Sequence, residues 1–284
     1  MRRLILASMV LAFFSVCWGQ TPGVVRADHQ QEAVALLAQK NAAQATPRSP
    51  LSSATCAFTF TSGANDTFLK YCVTANGNIT LFQTPAGHEH IAVGQDGEGY
   101  GLCDLFSATA YNDYAEFGDS ANWGPATVLS QNAKSVKIAR TTSDGAWTLT
   151  QTFTQVAGSL PSVKIAMAMK NNTTEDRVVD LVRYADVDAD GASLDSLDGT
   201  AHSAFGWQPA GNGRKFGLAM QDVASTSFHE GFAQSVPQGP APCDLLRDVA
   251  LATLTATDGS IFMFYELHVP KGTSKTVTVS YRGL

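Results

Sequence analysis

The sequence has few charged residues and no cluster of basic ones. Asp, Glu, Lys and Arg make up 15% of the 284 residues, against about a quarter in an average soluble domain. Beyond Arg2-Arg3, Lys and Arg occur singly along the chain apart from Arg214-Lys215, and the formal net charge is -6. A protein that binds a phosphate backbone needs a stripe of basic side chains. The sequence therefore argues against nucleic acid as a partner.

The sequence also lacks an apolar run long enough to span a bilayer. The run at 4–16 is shorter than the roughly 20 residues that a membrane helix needs. It follows Arg2 and Arg3 and precedes the small residue Gly19, which is the arrangement of a secretory signal. We predict a signal peptide over 1–19, no membrane span, and a secreted or periplasmic bacterial protein. Bulky Val16 argues against a lipid anchor on the next residue, Cys17.

No two cysteines have the close spacing of a metal site. Removal of the signal leaves Cys56, Cys72, Cys103 and Cys243 for an oxidising compartment. A hairpin folded about Ala64 would place Cys56 opposite Cys72, at a separation that a disulfide can bridge. Cys103 with Cys243 then follows by elimination, so the sequence predicts two disulfides.

One segment near the N-terminus has the pattern of a helix. Asp28 can cap it, and residues 32–45 are rich in Ala, Gln and Leu with no helix breaker. The Pro- and Ser-rich stretch after it reads as a linker. We therefore divide the mature chain into a helix with linker over 20–53 and a β-domain over 54–284, and we expect the β-domain to fold without the helix.

From Cys56 onward, short strand-like runs alternate with turn signals. Asn76-Gly77 and Asp144-Gly145 each lie between two such runs, which predicts two tight hairpins. About ten or more strands with no dividing linker predict one large antiparallel β-sandwich. The supersandwich of galactose-mutarotase-like proteins also suits this length, and residues 147–153 with 163–167 resemble one of its hairpins. No motif of that family matches residue by residue.

Three carboxylates stand at two-residue spacing in the run from Tyr184 to Gly191. On a continuing strand they would share one face with Tyr184, and a bound cation would relieve their repulsion. If the chain turns at Gly191, the run resembles the opening of a calcium loop, although Leu197 stands where an EF-hand requires Glu. A sugar site and a solvated acidic turn are the alternatives. The predicted calcium ligands are Asp186, Asp188, Asp190 and Asp195.

A second candidate site combines aromatic and polar side chains in a predicted loop over 111–124. Sugar sites use this mixture, because aromatic rings stack on sugar faces while carboxylates and amides bind hydroxyls. His88 and His90 would project together from a strand and could bind a transition metal. The alternative is an ordinary packed loop with Trp123 buried. The predicted ligand-binding residues are Tyr111, Asp113, Tyr114, Trp123, Tyr184 and His90.

These features predict a secreted β-sandwich that binds an extracellular carbohydrate or cell-surface ligand, with calcium as a structural ion. One alternative is a glycan-active epimerase, lyase or hydrolase that uses paired carboxylates, or histidine with a carboxylate. Another is a structural envelope or surface module. The sequence assigns no catalytic residue, since Ser120 lacks a hydrolase context and no Gly-x-Ser-x-Gly elbow occurs. A deep cleft that joins Asp186, His90 and Trp123 would favour a binder or an enzyme, whereas a filled sandwich with these residues dispersed would favour the structural module.

Overall fold

A computed structural model describes residues 55–91, 97–115, 118–210, 213–245, 249–250 and 252–284. The chain divides into two compact units, Met1–Gln44 and Ala45–Leu284, and every described residue belongs to the second. The predicted signal peptide, N-terminal helix and linker lie outside the described residues. Within the described part, no helix is long and apolar enough to cross a membrane.

The described residues form seventeen strands and little helix. In chain order the strands are β1 (Cys56–Ser62), β2 (Leu69–Thr74), β3 (Ile79–Gln83), β4 (Glu98–Asp104), β5 (Thr109–Asp113), β6 (Thr127–Gln131), β7 (Ser135–Thr141), β8 (Trp147–Val156), β9 (Ser162–Asn171), β10 (Arg177–Asp186), β11 (Asp195–Thr200), β12 (Ser203–Pro209), β13 (Lys215–Asp222), β14 (Phe228–Gln234), β15 (Leu254–Thr257), β16 (Ser260–Val269) and β17 (Ser274–Gly283).

These strands build three antiparallel sheets. The largest has the order β15-β11-β12-β13-β17-β9-β8-β7-β6, the second β14-β16-β10-β4-β5, and the third β1-β2-β3. Buried apolar side chains from all three sheets form one core, including Leu181 from β10, Met167 from β9 and Tyr71 from β2. The predicted antiparallel β-sandwich is confirmed.

Alternation along the strands sets which residues enter the core. In β8, Trp147, Leu149, Gln151 and Phe153 are buried while the threonines between them are partly exposed, as expected for a strand with one solvated face. Both predicted tight hairpins are present, because β2 pairs with β3 around Asn76-Gly77 and β7 pairs with β8 around Asp144-Gly145.

A loop segment covers the face of the five-stranded sheet that points away from the nine-stranded sheet. Val182, Tyr184 and Phe262 form a second apolar cluster there with Tyr114 and Leu245. Their burial explains why the last six residues of β10 are all buried: a central strand that is covered on both faces has no solvated side.

Both predicted disulfides are present. Cys56 bonds to Cys72 with a Cα separation of 5.6 Å, and Cys103 on β4 bonds to Cys243 at 5.0 Å. The predicted hairpin register was wrong by three residues, because Cys72 pairs directly with Thr59 and Ser62 with Leu69, which centres the turn between Asn65 and Asp66 rather than on Ala64. The second disulfide ties the covering segment, over 236–245, to the five-stranded sheet.

Candidate functional site

Three carboxylates converge where β10 ends. Asp186 is the last residue of that strand, Asp188 follows it, and Asp258 lies in the turn before β16. Carboxylate oxygens of these three residues all lie within 4.8 Å of one another. The convergence results from strand pairing, because Asp186 is directly opposite Ser260, the first residue of β16. Asp258 was not predicted as a ligand, because the sequence does not reveal that β10 pairs with β16. The turn signal Thr257-Asp258-Gly259 marked its position in the chain but not its neighbours in space.

A fourth carboxylate borders this group. Asp195, the first residue of β11, is 1% exposed, and its Oδ1 accepts a hydrogen bond from Gln208 Nε2 at 3.0 Å. Its buried Oδ2 has no hydrogen-bond partner among the described residues. Burial raises the pKa of Asp195 to about 7, and the nearby charges of Asp188 and Asp258 raise it as well. Oxygen ligands of this kind are those that calcium prefers.

Asp190 is placed differently from its neighbours. The strand ends at Asp186 and a 3-10 turn follows at Ala189–Gly191, so the predicted shared face does not extend to Asp190. Its carboxylate instead contacts Nδ1 of His88 at 2.8 Å, and the His88 ring stacks on Phe216 with 3.8 Å between ring centroids. The structure therefore brings together Asp186, Asp188 and Asp258, with Asp195 beside them, rather than the linear set predicted from the sequence.

The aromatic residues predicted to bind a ligand are buried, Tyr111 and Trp123 in the main core and Tyr114 and Tyr184 under the covering segment. Tyr111 is on β5 rather than in a loop, and its hydroxyl donates to Asp144 Oδ2 at 2.5 Å. Trp123 is 8% exposed and packs edge-on against Tyr111. Tyr114 and Tyr184 pack against each other with their rings tilted by 58°, and each donates its hydroxyl to a backbone carbonyl of the covering segment. All four rings are packed against other parts of the protein and offer almost no surface to a sugar.

The two polar members of the predicted ligand set are also buried. Asp113 is 0% exposed and forms an ion pair with Arg140, with Nη1 and Oδ2 2.5 Å apart. His90 is 0% exposed, and its Nε2 donates to the carbonyl oxygen of Thr84 at 2.6 Å. Burial lowers the pKa of His90, which favours its neutral form. His88 contacts Asp190 while His90 contacts Thr84, so the two histidines have different partners.

The nine-stranded sheet presents a solvated face that the sequence analysis did not single out. On β12, Phe205 and Trp207 point to this face and are partly exposed. Trp207 pairs with Gly217 and Phe205 with Ala219, so small residues flank both rings. The Nζ of Lys215 lies 3.9 Å from the centroid of the Trp207 ring. The alternation in 203–209 could have identified this strand, but the rule that alternating apolar residues face the core would have placed both rings inward.

Polar side chains surround these two rings on the same face. Residues directly opposite one another in paired strands share a face, and the pairs Phe205↔Asp198, Ala219↔Arg282 and Gln221↔Ser280 extend it across β11, β13 and β17. Arg282 Nε donates to Gln221 Oε1 at 3.2 Å. This face, defined here as the outer face, combines aromatic rings with hydroxyl, amide and cationic groups.

Comparison with known proteins gives the fold but no family. No family model and no curated protein matches the sequence. A bacterial glucoamylase complexed with acarbose is similar in structure, with a TM-score of 0.52 and 11% identity over 84% of this chain. The chain spans about a third of that protein, 34%. The likeness supports the β-sandwich architecture.

Two further solved structures are similar at a lower level. Heparan sulfate lyase HepC from Pedobacter heparinus has a TM-score of 0.43 and 11% identity, covering 90% of this chain and 42% of its own. A candidate aldose 1-epimerase from Escherichia coli K12 has a TM-score of 0.43 and 11% identity, covering 80% of this chain and 99% of its own.

Proposed function

We propose that this protein is a secreted or periplasmic carbohydrate-binding β-sandwich that contacts its ligand through the outer face. The observation that carries the proposal is the pair of partly exposed rings, Phe205 and Trp207, set among polar side chains. Aromatic rings stack on the apolar faces of sugars, while hydroxyl, amide and charged groups bind sugar hydroxyls. Because the rings stand on a paired strand, their positions are fixed before a ligand arrives.

The local geometry suits stacking on Trp207. A Cβ placed at Gly217 would lie 2.6 Å from the Trp207 Cα, so the opposite strand approaches closely only because it carries glycine there. The exposed Lys215 covers one side of the ring by a cation-π contact. Its long, flexible side chain can move aside and donate to a sugar hydroxyl.

Calcium is the second part of the proposal, with Asp186, Asp188 and Asp258 as ligands. Support comes from the convergence of the three carboxylates and from the buried carboxyl group of Asp195 beside Asp188 and Asp258. A bound cation would supply the positive charge that favours the ionised form of all three carboxylates, of which Asp186 is buried, Asp188 partly buried and Asp258 exposed. Asp195 would then stand at the edge of the coordination shell.

The proposed ion site and the proposed sugar face share two strands. Asp195 begins β11, and Gln208 of β12 donates a hydrogen bond to it. Trp207 precedes Gln208 in the chain and points to the outer face. A cation that fixes Asp195 would therefore also fix the strand pair that carries both rings. Calcium is thus expected to support carbohydrate binding indirectly, by ordering β11 and β12.

Burial argues against an acid or base role for His90 and for the nearest carboxylate that follows it in the described chain, Glu98. His90 is 0% exposed, and so is Glu98, whose carboxylate pairs with Arg183. A general acid or base must come within hydrogen-bond reach of the substrate. Neither side chain reaches the surface, so we assign neither of them a catalytic role.

A glycan-binding assay tests the proposal. The full-length secreted protein is titrated, with calcium present, against a panel of neutral and acidic polysaccharides. We expect Trp207→Ala to weaken binding about fivefold, equal to about 1 kcal/mol of ring stacking. The matched control is Phe106→Ala, which removes a ring that is 70% exposed in the turn between β4 and β5. Equal affinities for wild type and Trp207→Ala would contradict the assignment of the outer face.

A further inference from the structure

The outer face is basic although the chain is acidic. The full sequence has 25 acidic and 19 basic residues. Within the nine strands of the large sheet, the one acidic side chain on this face is Asp198. The basic side chains that the strand register places on it are Lys137, Lys164, Lys170, Lys215 and Arg282.

Strand pairing brings together basic side chains that are far apart in the sequence. Lys164 is directly opposite Ser280, and Arg282 is opposite Ser162, so these two cations are diagonal neighbours on adjacent strands. Lys164 is also opposite Thr154 on its other side. Adjacent strands lie about 4.8 Å apart, so the cations from β7 to β13 span about 19 Å, four strand spacings. That length exceeds one sugar ring and suits a chain of sugars.

If the cations of the outer face bound no ligand, acidic side chains would be expected among them. Soluble proteins intersperse both signs of charge on their surfaces, and this chain has ample Asp and Glu to do so. The space between the cations holds threonine and alanine instead, such as Thr152 opposite Ala166. Threonine hydroxyls can bind sugar hydroxyls without opposing a negative ligand.

We propose that the ligand of the outer face is an anionic polysaccharide, one that carries carboxylate or sulfate groups; this inference rests on the proposed carbohydrate-binding function. Lys164, Lys170 and Arg282 bind the anionic groups, and Trp207 stacks on a sugar ring at one end of the face. Charge complementarity of this kind selects the partner and speeds its association.

The test compares polygalacturonate and heparin with a neutral glucan of similar length. We expect both polyanions to bind, and to bind less tightly as NaCl is raised, because salt screens exposed charges. The double variant Lys164→Gln/Arg282→Gln should weaken binding about twenty-five-fold, or about fivefold for each charge removed. The charge-matched control is Lys271→Gln/Lys275→Gln, which removes two cations at the turn before and the start of β17 that do not belong to this face.

Each outcome separates this inference from the proposed function. If the neutral glucan binds in a Trp207-dependent way and neither polyanion does, the anionic specificity is wrong and carbohydrate binding stands. If no polysaccharide binds, both are wrong. Equal losses in the two double variants would show non-specific charge attraction and overturn the inference. Single-stranded DNA that binds as tightly as polygalacturonate would overturn the assignment to a carbohydrate.

Discussion

Two positions on β10 carry charged side chains whose neighbours have opposite signs of charge. At Arg183 the guanidinium faces the Glu98 carboxylate, with Nε to Oε1 and Nη2 to Oε2 both at 2.7 Å, and both side chains are fully buried. Tyr281 donates to the same carboxylate at 2.8 Å, and Gln151 accepts from Arg183 at 2.6 Å. This buried network has its charges paired and its hydrogen bonds made inside the protein, as a structural element requires.

Three residues further along, the same strand brings carboxylates together with one another. Asp186 faces Asp188 and Asp258, and the buried Asp195 lies beside them. Opposite charges that satisfy each other leave nothing for a ligand, whereas converging like charges gain stability from an added cation. On β10, therefore, buried charge alone does not indicate function; the sign of the neighbouring charges does.

Removing the charge partner of Glu98 should have the largest effect on stability. We expect Arg183→Met to lower the free energy of unfolding by about 3–5 kcal/mol, because it leaves Glu98 as a buried, uncompensated charge. Urea unfolding followed by fluorescence measures the loss. The control Arg214→Met removes a guanidinium that is 61% exposed and 4.0 Å from its partner Asp66, and should change stability by less than about 0.5 kcal/mol. A loss below about 1 kcal/mol for Arg183→Met would contradict a structural role for the network.

Binding of a cation by the carboxylates at the end of β10 should have the next largest effect on stability. At a hundredfold excess over its dissociation constant, calcium should stabilise the folded protein by about 2.7 kcal/mol if only the folded state binds it. We expect Asp188→Asn to abolish the gain, measured as the calcium-dependent shift in Tm. Sodium chloride at matched ionic strength is the control for screening. The same stabilisation in Asp188→Asn would place the ion elsewhere.

A third position on β10 gives a smaller, pH-dependent effect. Asp180 is directly opposite Glu266, and burial together with that neighbouring charge raises the pKa of Asp180 to about 6. The folded state then holds a proton that the unfolded state releases near pH 4, so stability should fall as pH rises from about 4 to about 6.

Glu266→Gln should flatten that slope and raise stability at neutral pH by about 0.2–1 kcal/mol, the cost of like charges directly opposite each other. Thermal unfolding across this pH range provides the measurement. Glu175→Gln, which alters an exposed carboxylate away from this pair, is the control. An unchanged slope in Glu266→Gln would show that burial alone sets the pKa of Asp180.

Local chemistry made much of the fold predictable. Asn76-Gly77 and Asp144-Gly145 specify tight turns whatever surrounds them, and alternating apolar residues mark strands such as β8 and β9. The pairing of Cys103 with Cys243 followed by elimination once the other two cysteines had been assigned to the hairpin. The hairpin register was missed because a 3-10 turn at Asn65–Thr67 moves the centre of the hairpin beyond Ala64, and the sequence does not mark that turn clearly.

The candidate site was less predictable because long-range strand pairing assembles it. Asp258 joins Asp186 only through the pairing of β10 with β16, and the outer face exists only because β12, β13 and β17 are neighbours. The run over 111–124 has the composition of a sugar-binding loop, but the covering segment and Arg140 bury its key side chains. Composition cannot distinguish a ring that stacks on sugar from a ring that packs in a core.

A calorimetric calcium titration of three proteins tests most directly whether strand pairing, rather than the linear run of aspartates, builds the cation site. The wild type should bind one ion, Asp190→Asn should bind it equally well because its carboxylate faces His88, and Asp258→Asn should lose the binding. Loss of binding in Asp190→Asn with binding kept in Asp258→Asn would contradict this assignment and restore the linear loop. Absence of binding in the wild type would contradict a calcium site at this end of β10.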